Sequence, residues 1–168
     1  AVVPQRSGKK TLRLGNIDAS TTVESVGHTF PIARDWEVEK GTFFTEADIR
    51  SYAAVIVLGA TAEKNFFPYG DDPIGKFILV GNIPFEIIGV MKSKGAAPWG
   101  GDQDDTAWVP YTTGLVRLFG SNYLNSITVK VDDVTQIEQT EADITALLKE
   151  RHQIENFNVR NTASFLEM

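Results

Sequence analysis

Residues 70–76, Gly-Asp-Asp-Pro-Ile-Gly-Lys, reproduce the glycine and lysine spacing of a phosphate-binding loop. Such a loop wraps phosphates in backbone N–H groups and needs a Ser or Thr directly after the lysine to hold magnesium; Phe77 stands there instead. It must also lead from a strand into a helix N-terminus, whereas this segment follows an aromatic turn and enters an apolar, strand-like run. Nucleotide binding by this segment is therefore excluded. Asp102, Asp104 and Asp105 could gather oxygens around a hard cation such as calcium. Their spacing is not that of a helix–loop–helix calcium site, and no glutamate follows where a bidentate ligand would stand, so an acidic solvated loop is the expectation. His28 and His152 are the only histidines, and neither lies at a catalytic spacing from a serine or a carboxylate or in an H-E-x-x-H pattern. With no cysteine in the chain, thiolate zinc sites, disulfides and a thiol nucleophile are excluded together. No catalytic, metal-binding or cofactor-binding residue is assigned.

The aromatic residues offer recognition rather than reaction. Phe66, Phe67 and Tyr69 cluster at one turn, Trp99 sits in a glycine-rich stretch, and Leu118, Phe119 and Tyr123 cluster at another turn. Large side chains on loops are hard to bury and serve as anchors of partner interfaces. The partner-binding candidates are Tyr69, Trp99, Leu118, Phe119 and Tyr123, with Trp99 suited equally to partner contact and to local packing.

Composition sets the frame for these residues. Hydrophobic residues at 42% and charged residues at 23% belong to a globular chain that can bury a core. A net charge of -6 supplies no basic face for a phosphate backbone, so nucleic acid is not an expected partner. The longest apolar runs, 77–80 and 85–91, fall far short of the roughly 20 residues of a membrane helix, so the piece is expected to be soluble and not to span the membrane. Ala1-Val-Val-Pro4 runs at once into a polar, basic segment, so the start reads as an interior boundary and not as a secretion signal.

The elements that would position the aromatics follow from periodicity. Residues 11–27 read as two strands around the turn Gly15-Asn16, residues 30–36 as a short helix after Pro31, and Thr45 as the start of another. Ala53 to Leu58 is a continuous apolar run expected in the middle of a sheet. Thr61 is expected to cap a short helix over 62–67 that Pro68 ends. Residues 77–80 and 83–90, joined by Gly81-Asn82, form the clearest hairpin. A long loop over 95–105 precedes a strand at 107–109, and Thr112 or Thr113 is placed as the cap of a short helix to Phe119. Leu124 to Val131 alternates as a half-buried strand with Ile127, Val129 and Val131 on one face. Asp133 and Gln136 form a capping box for a helix whose stripe is Val134, Ile137, Ile144, Leu147 and Leu148, and Phe157 and Val159 restart a strand. His152 falls in the last turn of that helix, where the macrodipole favours a cation. The fold class expected is α+β.

Read in order, Gly41-Thr-Phe-Phe-Thr-Glu-Ala-Asp48, Val55-Ile-Val-Leu-Gly59, Phe67-Pro68, Asp72-Pro-Ile-Gly75, Ile78-Leu-Val-Gly-Asn-Ile-Pro84, Phe85-Glu-Ile-Ile-Gly-Val90, Val109-Pro-Tyr-Thr112 and Leu124-Asn-Ser-Ile-Thr-Val-Lys-Val131 resemble the periplasmic core domain of MacB-like ABC transporters. No single segment is diagnostic; their order and spacing carry the likeness. The resemblance implies a porter-like β-α-β subdomain, residues 1–9 and 120–168 with its opening strand and helix missing, and a strand-rich mixed α/β subdomain inserted in it at residues 10–119. It implies a non-catalytic part of an efflux transporter at the periplasmic face of the bacterial inner membrane. Cytoplasmic ATP hydrolysis would there drive macrolide, peptide, toxin or siderophore through a membrane-fusion-type adaptor and an outer-membrane channel, with the full transporter a homodimer. The alternatives are the extracytoplasmic domain of a lipoprotein-releasing permease and a stand-alone periplasmic calcium- or peptide-binding module.

Overall fold

A computed structural model describes residues 2–95, 101–120, 126–132, 134–152 and 159. The chain forms two compact units, Ala1–Val129 and Lys130–Met168.

Strands β1 (Val2–Leu14) and β2 (Ile17–Val26) are the expected hairpin, but β1 reaches back to Val2. The charged stretch from Arg6 to Lys10 hides that extension in the sequence. Continuous antiparallel pairing from Gln5 opposite Val26 to Leu14 opposite Ile17 secures it by satisfying the backbone groups. Helix α1 (Phe30–Arg34) and strand β3 (Val38–Gly41) follow. Helix α2 (Glu46–Arg50) starts where Thr45 predicts, with a reciprocal box: the Asp48 N–H donates to Thr45 Oγ1 at 3.3 Å and the Thr45 N–H to Asp48 Oδ2 at 2.9 Å.

Then come β4 (Val55–Leu58), α3 (Ala60–Phe66), β5 (Phe77–Val80), β6 (Ile83–Met91) and β7 (Thr106–Pro110). A three-residue helix α4 (Tyr111–Thr113) runs straight into a π-helical turn, Gly114–Phe119. Strand β8 is Ser126–Val129. In the second unit a 3-10 turn, Val134–Gln136, leads into α5 (Ile137–His152).

The pairings in the first unit close on themselves. β1 pairs with β2, β2 in parallel with β7, β7 with β4, β4 in parallel with β6, β6 with β5, and β5 with β1. Closing the ring leaves these six strands few open edges. Two strands share their second edges: β6 gives one stretch to β5 and another to β3, and β1 gives residues 2–5 to β8 and residues 12–13 to β5. With helices interspersed among these mainly antiparallel strands, the fold is α+β.

Successive side chains of a strand point to opposite faces, and here the two faces build two cores. Ile56, Leu58, Ala107 and Val109 join Leu12, Val23, Ile78, Val80, Phe85 and Ile87 in the first, closed by Ala62, Phe66 and Phe67 from α3 and the turn after it. Val57 and Trp108 point the other way into the second, with Val3, Val26, Phe30, Trp36, Phe44, Ile49 and Met91. β4 and β7 are therefore covered on both faces, which is why 53–58 reads as an unbroken apolar run.

Four expectations need correction. Gly59, not Thr61, caps α3, and the helix begins at Ala60. A side chain at 59 would collide with the Asp104 carbonyl, so the tight approach selects glycine there. Thr61 Oγ1 instead donates to Asp102 Oδ2 at 2.6 Å. Thr113 holds the N-cap position of the turn that runs to Phe119, but neither it nor Thr112 caps with its side chain: the two hydroxyls reach across to the carbonyls of Ile49 at 2.6 Å and Ala53 at 2.8 Å. Ile127 and Val129, expected on a covered face, are 56% and 38% exposed within their unit's edge strand β8, which pairs only with β1 among the described residues. The turn before α5 is 3-10, and Leu147 on the expected stripe is 51% exposed. Asp133 and Phe157 lie outside the described residues, and Val159 is in no strand. Among the described residues no helix is long and apolar enough to cross a membrane.

Candidate functional site

The phosphate-loop look-alike is a turn that feeds a strand. The Ile74 N–H donates to Asp72 Oδ1 at 3.1 Å, the Gly75 N–H to the Ile87 carbonyl at 2.8 Å, and β5 begins at Phe77. The N–H groups of Gly70, Ile74, Gly75 and Lys76 are committed to the protein.

The acidic loop is tied down at both ends of the described stretch, contrary to a freely solvated loop. Asp104 is buried, and its carboxylate accepts from Ser93 Oγ at 2.6 Å, the Lys94 N–H at 2.8 Å and the Gly95 N–H at 2.9 Å. Burial pushes this carboxyl up, but those donors and the Lys64 charge outweigh it and leave the group below the usual aspartate range. Asp102 accepts from Thr61 Oγ1 and from the Asp104 N–H at 2.9 Å. Among the described residues no three His, Asp or Glu side chains are grouped to hold a metal ion.

Of the aromatic candidates, Tyr69 is 92% exposed in the turn after α3. Leu118 is half-buried against the first core. Phe119 ends the π-helical turn with its ring over Gly8, 2.9 Å from where a β-carbon would stand, so a larger residue at 8 would push the ring aside. The Arg6 guanidinium lies 5.4 Å and the Lys10 ammonium 5.1 Å from the ring centroid. Each such contact contributes about 0.5–1 kcal/mol at an exposed site. The structure thus places Leu118 and Phe119 together on β1 and β2 and leaves Tyr69 as a projecting anchor. Trp99 and Tyr123 lie outside the described residues.

A second feature escapes sequence reasoning. A pocket of about 270 Å³ opens beside the second core, lined among others by Glu24, Arg34, Trp36, Lys94 and Trp108. These residues come from four separate stretches of chain. The Trp108 Nε1–H donates to Glu24 Oε2 at 3.0 Å and the Trp36 Nε1–H to the Lys92 carbonyl at 2.7 Å, and the two indoles meet edge to face at 4.9 Å. Lys94 Nζ donates to the Arg34 carbonyl at 2.7 Å and lies 5.0 Å from the Trp36 ring centroid. Burial pushes the Glu24 carboxyl up, opposed by Trp108 and Arg34. Burial and the neighbouring Arg34 charge pull the Lys94 ammonium down, opposed by Asp35. No local motif announces this set, because β7, the 93–95 turn and α1 meet only in the folded chain.

Comparison with known proteins places the chain. The family model described as the MacB-like periplasmic core domain matches residues 1–147. The Macrolide export ATP-binding/permease protein MacB of Azoarcus sp. (strain BH72) is 48% identical over 167 residues, 99% of this chain and 25% of that protein. The Pyoverdine export ATP-binding/permease protein PvdT of Pseudomonas entomophila (strain L48) is 36% identical over 167 residues, again 99% of this chain, and 26% of its own length. The chain thus spans about a quarter of the length of the curated relatives it matches. The crystal structure of the periplasmic region of MacB from Actinobacillus actinomycetemcomitans superposes with a TM-score of 0.86 at 27% identity, covering 99% of this chain and 74% of that one. The expected resemblance holds along most of the chain, and the protein belongs to the MacB-like periplasmic core domain family.

Proposed function

We propose that this chain is the extracytoplasmic moving part of an ATP-driven exporter, gripping protein partners and carrying out no chemistry itself. The observation that carries the reading is the family match across residues 1–147, joined to relatives whose names combine ATP-binding and permease functions. In this reading ATP is hydrolysed by a cytoplasmic domain of the same transporter, which sits as a homodimer in the bacterial inner membrane. Its periplasmic parts pass substrate to a membrane-fusion-type adaptor and an outer-membrane channel. Relatives named for macrolide and for pyoverdine export support small-molecule cargo, with peptides and toxins within the same class.

We assign residues 1–9 and 120–168 to a porter-like subdomain and 10–119 to the inserted one. The split pairing of β1, which gives residues 2–5 to β8 and residues 12–13 to β5, supports a boundary in that strand. Tyr69, Trp99, Leu118, Phe119 and Tyr123 are proposed as partner contacts. Exposure of Tyr69 supports one of them.

The test uses the 168-residue chain with a purified periplasmic adaptor. Saturable binding that survives a chelator, with no ATP hydrolysis by the chain, is the expected result. Hydrolysis that co-purifies with the chain, or a calcium-dependent rise in its melting temperature, would overturn the reading in favour of an enzyme or a metal-binding module.

A further inference from the structure

The pocket beside the second core has polar groups that the fold itself leaves unanswered. Arg34 is half-buried, its Nε is buried without a hydrogen-bond partner, and the ion pairs found among the described residues do not include it, its charge acting on Glu24 without a direct contact. Unsatisfied buried donors are rare, and each asks for a physical explanation. Glu24 uses one oxygen to accept from Trp108, and Oε1 takes no hydrogen bond among the described residues. Lys94 holds its ammonium beside the Arg34 carbonyl, so a second positive charge shares the Arg34 wall. The other acid on the lining, Asp102, already receives Thr61 Oγ1 and the Asp104 N–H.

A ligand for this lining must present a flat acceptor to the guanidinium and a donor to Glu24. A bare cation is repelled by Arg34 and Lys94. A doubly charged phosphate would meet Glu24 and Asp102 with like charge. A carboxylate is singly charged and planar, which suits the guanidinium fork, and in a peptide an N–H lies a few atoms away. The volume of about 270 Å³ holds roughly nine waters at ~30 Å³ each, room for one amino-acid residue.

We propose that this pocket binds a carboxylate carried by a peptide, with Arg34 and Lys94 gripping the carboxylate and Glu24 accepting the N–H beside it. The assignment rests on the pocket alone and is independent of the export reading. Both indoles on the lining, Trp36 and Trp108, report on occupancy through their fluorescence.

The 168-residue chain is titrated by calorimetry and fluorescence with acetyl-trialanine ending in a free carboxylate, with the same peptide amidated, and with N-acetylglutamate amide, whose only acid is its side chain. Saturable binding of a carboxylate form, at least about tenfold tighter than the amidated peptide, is expected for a charge-assisted contact. Preference between the two acids then tells whether a C-terminus or an acidic side chain is the natural group. Arg34→Gln should abolish binding while melting and circular dichroism show a folded chain, and Arg34→Lys, which keeps the charge without the fork, should retain part of it. Equal binding of acid and amide, no binding of any form at millimolar concentration, or unchanged binding by folded Arg34→Gln overturns the proposal. Should Arg34→Gln fail to fold, the acid–amide comparison on the unaltered chain decides by itself.

Discussion

The two cores on either face of β4 and β7 are built from neighbouring residues of the same strands, yet they differ in kind. The first, around Ile56, Leu58, Ala107 and Val109, is wholly apolar and enclosed by the strand ring and α3. The second, around Val57 and Trp108, is aromatic and abuts Glu24, Arg34 and Lys94. An apolar core supplies stability through area removed from water and is indifferent to pH, whereas a core bordered by charges adds pH dependence and the capacity to recognise. The contrast teaches that one strand can serve stability on one face and binding on the other, and substitutions on the two faces should separate these roles.

The largest effect is expected in the first core. Phe85 is fully buried, and Phe85→Ala should cost about 3–5 kcal/mol in urea unfolding. Loss of stability with peptide binding intact at low temperature would sharpen the contrast; equal loss of both would break it.

Next is Asp104, which pins the turn bordering the pocket through three donors. Asp104→Asn should cost about 1–3 kcal/mol at neutral pH, because the amide cannot accept from all three. Its carboxyl titrates below the unfolded value near 3.9, so its stabilisation is complete above that value and fades as pH falls through the folded one. The difference between wild type and Asp104→Asn in urea midpoints should therefore shrink below about pH 4.

Glu24 should show the opposite slope. Its folded carboxyl lies above the unfolded value near 4.3, so the folded state is favoured while the group is protonated and loses stability as pH rises through the raised value. Glu24→Gln should leave the chain equally or slightly more stable at pH 7, by under about 1 kcal/mol, with the difference vanishing in acid. A midpoint for Glu24→Gln that falls below wild type at pH 7 would show that the carboxylate is paired in the folded chain after all.

The smallest effect is expected far from either core. Arg13 and Asp18 form a 2.6 Å ion pair with both side chains largely exposed, and Asp18→Asn should leave the melting temperature unchanged within error.

These differences also mark how far sequence reasoning reaches. The Gly81-Asn82 hairpin, the buried β4 run and the α2 start were legible because each is written in a few adjacent residues. The β1 extension was not, since its charged residues break the apolar pattern while its backbone is secured by β2, a partner that local pattern does not reveal. The threonines at 61, 112 and 113 look like caps in isolation, and their hydroxyls instead bridge distant segments. Among the site residues, Tyr69 projects as an aromatic in a Pro-Gly turn suggests. The Phe119 contact with Gly8 and the Glu24–Arg34–Lys94 pocket depend on long-range assembly that spacing along one chain cannot encode.

The central claim is that this chain is the periplasmic portion of an ATP-driven exporter, and the most direct measurement is to read the coding sequence on both sides of it. A phosphate-binding loop of an ATPase upstream and paired membrane spans flanking these residues are the predicted result. A secretion signal immediately before the segment and a stop codon immediately after it would contradict the claim and leave a free binding module.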